Sequence, residues 1–353
     1  MILLVAAALQ TPTVVPIPDG RPAFEIVLVR ERTLGLETED GTLPAHPNAA
    51  VLLPDGTIIL GMHYPPAPPM LYPPTGDPRP LGREGRGPLE FQGVHSMAVR
   101  SDSVLVLDGN NGRITLIHQG AEARTWMAQS GSWTTAWLDG VLVTNNASQP
   151  RHFRPRPFYA LDLESGEQTA LGDSLPKRAE DFDQTHLYWL HPAGERSFWA
   201  VRWVGTYRIE LWDAMGRHLM TFQRETSWFP DNDTWHQPDP DHPPNPHVMA
   251  VWPDAERPEV LWIATSVPDR RWREALGRSQ RAEGQVYYPV LDQERAYDTM
   301  IEAIDLSSGV LLASRRVDWN ARVTIGPGLV GAARETEDLL PYVEIWRTTL
   351  RPR

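Results

Sequence analysis

Short apolar runs, broken at intervals by Gly, Pro, Asp or Ser, are the dominant pattern along this chain. "NAAVLL" is followed by the turn "PDG" and then "TIILGM"; "HSMAVR" by "SDS" and "VLVLD"; "WTTAWL" by "DG" and "VLVTN". The same rhythm returns in "THLYWLH", "PAGER", "SFWAVRW", then in "HVMAVWP", "DAERPE", "VLWIATS", and again in "ARVTI", "GPG", "LVGAAR". Runs of this length, rich in β-branched and aromatic residues and separated by turn formers, predict β-hairpins rather than helices. Third strands follow in "RITLIHQ", "PFYALDL", "TYRIELWD", "TMIEAIDL" and "YVEIWRTTL", and outer strands in "RTWMA", "QTALG", "HLMTFQ" and "VLLASRRV".

A four-stranded unit recurring six times at about 35–70 residues predicts an all-β, six-bladed β-propeller. The sixth unit supplies only three strands before Arg353, while "AFEIVLVRERTL" (Ala23–Leu34) is left over at the other end of the chain. Pairing the two closes the ring and removes an open sheet edge. The expectation is therefore one propeller domain over residues 13–353, closed by the N-terminal strand 23–34, with loop insertions on one face.

One stretch carries a family resemblance. "GREGRGPLEF" resembles the G-x-x-G-x-GPGEF connector between blades of NHL-like and related bacterial six-bladed propellers, and "VLVLDGNNGRITLI" resembles their V-x-D-x-x-N-x-R-I strand–turn–strand. The likeness covers Gly82–Ile117, about one blade, and Leu89 replaces the second Gly of GPGEF. It implies that Asp108, Asn111 and Arg113 serve blade structure. A phosphate-cradling reading of the same glycines fails on chemistry: Pro88 removes an amide, and strand residues follow where a helix is needed.

Composition narrows the class. Pro is 34 of 353 residues and Trp is 14, which suits a loop-rich β protein. The net charge of −12 argues against nucleic acid and anionic membrane surfaces. The chain has no Cys, which excludes disulfides, thiolate metal sites and Cys nucleophiles. "MILLVAAALQTPTVVP" resembles a secretory signal over residues 1–12, with Ala6-Ala7-Ala8 as a small-residue cleavage site, though it lacks a basic n-region. No later run approaches the ~20 apolar residues of a membrane span. The expectation is an exported monomer in the periplasm, the envelope or the medium.

In a propeller the loops between second and third strands share one rim with the links between blades. On these strand assignments the rim carries His63–Pro69, Asp108–Gly112, Asn145–Arg156, Val204–Thr206, Pro268–Asp298, Arg334–Pro341 and the link Glu225–Pro246. Two insertions stand out: Trp228–His247, and Pro268–Asp298 with a short helix predicted at Arg271–Gln280. Loops this long are usually functional or disordered, and these two predict a lid over the channel mouth, tied down by Trp228, Trp235 and Trp272. The competing reading is loop packing alone.

Candidate binding residues on this rim are His63, Arg151, His152, Arg154, Arg156, Trp228, Trp235, His236 and Trp272. "RHFRPRP" offers guanidinium groups for a carboxylate or acidic partner, or is a surface charge run balanced within the protein by Glu335, Glu337 and Asp338. His236, His242 and His247 with Asp231, Asp233, Asp239 and Asp241 are a candidate divalent-metal cluster, but lie on a Pro-rich loop that does not preorganise ligands. Asp108, Asn110, Asn145 and Asn146 are hard oxygen ligands of the kind that hold calcium in six-bladed gluconolactonase-like hydrolases; the channel-facing Glu of those enzymes has no counterpart identified here. No G-x-S-x-G or H-E-x-x-H motif occurs. The leading expectation is a non-catalytic binding or scaffold propeller whose rim takes a protein, peptide or glycan. The alternative is a calcium-dependent hydrolase or lactonase with its ion in the channel.

Overall fold

The computed structural model describes residues 12–36 apart from 19 and 21, then 43–128, 132–145, 156–172, 187–230, 237–282 and 285–353. The strands assemble into six antiparallel blades arranged as a propeller. Blade one is Ala49–Leu52, Ile58–Gly61, Met70–Tyr72 and Arg79–Pro80; blade two is Val94–Arg100, Ser103–Asp108, Arg113–His118 and Ala121–Met127. Blades three, four and five begin at Thr135–Trp137, Tyr188–Pro192 and His247–Pro253. Blade six is Asn320–Gly326, Leu329–Glu335 and Pro341–Pro352, completed on its outside by Phe24–Leu34.

The leftover N-terminal strand thus does close the ring. Phe24 to Leu34 runs antiparallel to Pro352 to Val343, and Arg30 reaches Glu344 at 2.6 Å across the seam. Arg347 pairs with Glu31 and Arg351 with Glu25 on the same seam.

Second strands are apolar on both faces, as in "SVLVLD" and "VLWIAT", because each is sandwiched between its own blade's neighbours and the next blade. Among the described residues each junction between adjacent blades holds one apolar cluster, and a small seventh cluster of Ala275, Ala296 and Tyr297 lies in the insertion 268–298. The junction of blades five and six stacks Trp252 on Trp262 with ring centroids 6.2 Å apart and planes 9° apart. Their indole N–H groups donate to Thr348 Oγ1 at 3.1 Å and to Asp254 Oδ2 at 2.9 Å, so neither buried donor is wasted.

Two features depart from the sequence expectation. Thr13–Ile17 adds a fifth strand to blade four, parallel to His218–Arg224, and covers that blade's outer edge. Ile17 and Val15 enter the cluster between blades four and five, and Pro16 is tolerated because an outermost strand has a side with no ladder bond to make. The helix expected at Arg271–Gln280 is only a 3₁₀ turn, Trp272–Ala275. Leu276 instead bridges Val290, and the Gly277 amide donates to Pro289 O at 2.7 Å, so the segment folds back on the rest of its insertion. A four-residue α-helix forms later, at Gln293–Ala296, capped by Asp292 accepting from Arg295 N at 2.9 Å.

Candidate functional site

The GREGRG stretch and the turn after the second strand of blade two form one polar staple. Asp108 is fully buried and accepts from Gln92 N at 3.0 Å, Asn111 N at 3.2 Å and Asn111 Nδ2 at 2.7 Å. Asn111 Nδ2 also donates to Gly85 O at 2.9 Å, and the Arg113 guanidinium caps the carbonyls of Arg86, Gly87 and Glu90. Glu90 in turn receives Gly87 N and Arg83 Nε, each at 2.6 Å. Leu89 adopts φ +50°, the left-handed backbone that its Gly counterpart in the GPGEF pattern would supply without strain.

The inner strands border the central channel, and at one mouth lies a cavity of about 590 Å³. Each blade presents the residue at or just before its inner strand: Asn48, His95, Thr134, Trp189, His247 and Asn320. Aromatic walls complete it. On one side the His95 ring packs 4.1 Å from His63 and 4.8 Å from Trp133. On the other, the His247 ring makes edge contacts with Trp203 at 5.4 Å and Tyr297 at 5.3 Å. Trp189 is fixed by donating Nε1 to Val248 O at 2.6 Å. The insertion 268–298 contributes Gln293 and Tyr297 to the mouth.

The electrostatics are simple. Burial lowers the His95 and His247 imidazoles to about 4, and the nearby His63 and Arg322, respectively, push them the same way. Burial lowers His63 as well. All three rings are therefore neutral hydrogen-bonding groups at neutral pH. No carboxylate and no lysine line the cavity among the described residues, and its one formal charge is Arg322. Burial disfavours the charge on Arg322, yet a guanidinium does not lose its proton in a protein. Asn48 donates Nδ2 to Val94 O at 2.8 Å and to His95 O at 3.1 Å, while its buried Oδ1 has no partner.

Of the residues singled out in the sequence, His63 lies against this mouth through His95 and Trp133. Asn145 lines it, but its Oδ1 accepts Trp133 N and Thr134 N at 2.8 Å each and so sets the entry to blade three. Asn110 is exposed and donates to Gln92 O at 2.8 Å. Arg156 is spent on Gly172 O. Trp228 packs on Tyr207 and Phe229 in the junction of blades four and five, and Trp272 is buried under the Arg273 guanidinium; neither lines the cavity. The two insertions touch where Arg273 Nε donates to Pro240 O at 2.8 Å. Asp239 binds His242 and the Asp241 amide in a local turn. Arg151, His152, Arg154, Asn146, Trp235, His236, Asp231 and Asp233 lie outside the described residues. Among the described residues no three His, Asp or Glu side chains are grouped to hold a metal.

Sequence reasoning passed over the ring itself. The signal was present: aligned on their inner strands, "PNAAVLL", "VHSMAVR", "WTTAWL", "PHVMAVW" and "WNARVTI" each place a polar residue just ahead of an apolar run.

No family model and no curated protein matches the chain. Solved structures do. A candidate exported protein of Bacteroides fragilis aligns at TM-score 0.59 and 9% identity, over 96% of this chain and 100% of that one. A protein of unknown function from Bacteroides thetaiotaomicron aligns at TM-score 0.48 and 10% identity, over 92% of this chain and 76% of that one. A streptogramin B lyase aligns at TM-score 0.47 and 9% identity, over 92% and 98%. At such identities the likeness to the first shows a shared fold. No helix among the described residues is long and apolar enough to cross a membrane.

Proposed function

We propose that this chain is an exported, non-catalytic binding propeller of NHL-like descent, whose ligand sits in the channel mouth. The observation that carries the reading is the 590 Å³ cavity to which all six blades contribute and whose walls are indole, phenol, imidazole and amide. A concave, largely apolar pocket with a few convergent polar groups is the ordinary form of a small-ligand site. A rigid ring of paired strands holds those groups in place. Export is supported by the apolar start and Ala6-Ala7-Ala8.

The test is a thermal-shift screen of glycans and peptides on the purified full chain, beside Met249→Trp, which fills the cavity. Ligands that stabilise the parent and not the filled variant are the expected result. A panel whose hits bind both proteins equally sinks the assignment of the site.

A calcium-dependent hydrolase is the second reading, favoured by the converging amides and the unpartnered Oδ1 of Asn48. It expects calcium at a hundredfold excess over its dissociation constant to stabilise by about 2.7 kcal/mol. A chelator that leaves melting unchanged, with no response to added calcium, removes it.

A further inference from the structure

Arg322 is the odd member of the ring. It follows Asn320 and Ala321 on the inner strand of blade six, in "WNARVTI", at a β-bulge: Ala321 pairs with Ala332 and Val323 with Gly331, Ala321 and Val323 enter opposite blade junctions, and Arg322 between them lines the channel mouth. It shares the cavity with Asn320, His247 and Tyr297, none of them anionic, and among the described residues none makes a hydrogen bond or ion pair with it. Two other arginines held within the fold have a carboxylate beside them: Arg224 lies 3.2 Å from Glu302, and Arg202 3.8 Å from Glu210. A partly buried cation without a counter-charge costs stability, and the described residues give this one no partner. A partner from outside explains it.

The surroundings narrow what that partner is. A guanidinium presents a planar fork that fits a carboxylate through two parallel hydrogen bonds. Asn48, whose two Nδ2 protons are spent on Val94 O and His95 O, offers its Oδ1 as an acceptor for a hydroxyl, and Asn320 and Gln293 offer amide N–H donors. Trp203 and Tyr297 on one side, and Trp133 on the other, offer flat faces for the C–H surface of a ring. A folded protein partner needs about 800 Å² of matching surface on each side, which a recess of this kind does not present. A peptide C-terminus is usually held in a nest of backbone amides; here a side chain alone carries the charge.

We infer that the ligand of this pocket is a carboxylated sugar, with Arg322 holding the carboxylate, the amides holding the hydroxyls and the aromatic walls packing on the pyranose. The inference rests on the channel-mouth reading above and deepens it. It also accounts for selectivity in a protein of net charge −12: long-range attraction is lacking, so an anion is held only by close contact inside the recess.

The experiment titrates the full chain with hexuronic-acid oligomers, with the same oligomers methyl-esterified, with neutral hexose oligomers and with an acidic peptide. Calorimetry and the fluorescence of Trp133, Trp189 and Trp203 report binding. The expected result is a preference of at least about tenfold for the free acid over its ester. In Arg322→Gln that preference falls to near unity while the melting temperature stays at or above the parent's, so lost binding is not lost folding. Equal binding of acid and ester, retention of the preference in Arg322→Gln, binding of the peptide alone, or no saccharide binding at all would each overturn the inference. A uronate that binds Met249→Trp as tightly as the parent would overturn the channel-mouth reading instead.

Discussion

Two polar networks in this molecule are built from similar residues and used in opposite ways. Around Asp108, the polar groups of the blade-two turn are spent on backbone: one carboxylate, one amide and one guanidinium tie down Gly85 to Gln92. Around the channel mouth, Arg322 has no hydrogen-bond or ion-pair partner among the described residues and Asn48 Oδ1 is unmatched. The first network is recognisable as a motif because its residues must keep a fixed spacing to satisfy one another. The second is spread over six blades, one residue at a time. A local motif can therefore mark the scaffold, while the site is assembled from singletons that only the closed ring brings together.

The sharpest way to break this contrast is acid. His95, His247 and His191 all face the channel and are all held at about 4 by burial, against 6.5 when free. The sign follows directly: between these values the unfolded chain takes up protons that the folded chain refuses. Stability is complete above pH 6.5 and falls by about 1.4 kcal/mol per pH unit for each imidazole as pH drops toward 4. Three such groups approach the whole stability of an ordinary domain. Melting temperatures between pH 7 and 4 should fall steeply, and less steeply in His95→Gln. A flat profile down to pH 5 would show that the channel is wetter than its geometry implies.

Next in size is Asp108→Ala. It strands the Gln92 and Asn111 amides and releases Asn111 from its bridge to Gly85, in a site with no exposure to water. Losing several buried hydrogen bonds at once should cost about 4 kcal/mol in urea-denaturation stability. A cost below about 1 kcal/mol would mean that Asp108 is free for another task, such as an ion. Arg322→Met belongs to the other network and should move stability the other way, upward by about 1 kcal/mol, because an unmatched cation is replaced by an apolar chain of similar length. Destabilisation by that change would reveal a partner within the protein and erase the distinction between the networks.

The ring closure and the blade rhythm were legible because they follow from alternation and from counting: three strands at one end and one at the other leave a single way to finish blade six. Thr13–Ile17 was not, since a parallel outermost strand needs no alternation of its own and its sequence, "TVVPI", runs on from an apolar start. The supposed helix at Arg271–Gln280 failed for a tertiary reason, the pairing of Leu276 and Gly277 with Pro289 to Leu291. The site was harder. Trp228 and Trp272 stand out in the sequence but pack inward, whereas Arg322 reads as an ordinary surface residue of a strand until the strand is known to border a channel.

The smallest expected effect tests how literally the family pattern should be read. Leu89 stands where that pattern has Gly, and its φ of +50° is one that a side chain adopts at a cost of about 1 kcal/mol. Its amide donates to Glu122 Oε2 at 3.0 Å, and its side chain is only partly buried against the junction of blades one and two. Leu89→Gly relieves the backbone and forfeits that packing, two changes of about 1 kcal/mol each, so its urea midpoint should stay within about 1 kcal/mol of the parent. Leu89→Val keeps the strain, adds β-branching and loses a methylene, and should fall about 1–2 kcal/mol below the parent. That ordering, glycine above valine, would mean the connector specifies a backbone conformation that this chain meets with an unusual residue. The reverse ordering would mean that the side chain, through its contact with the blade junction, is what the connector needs here.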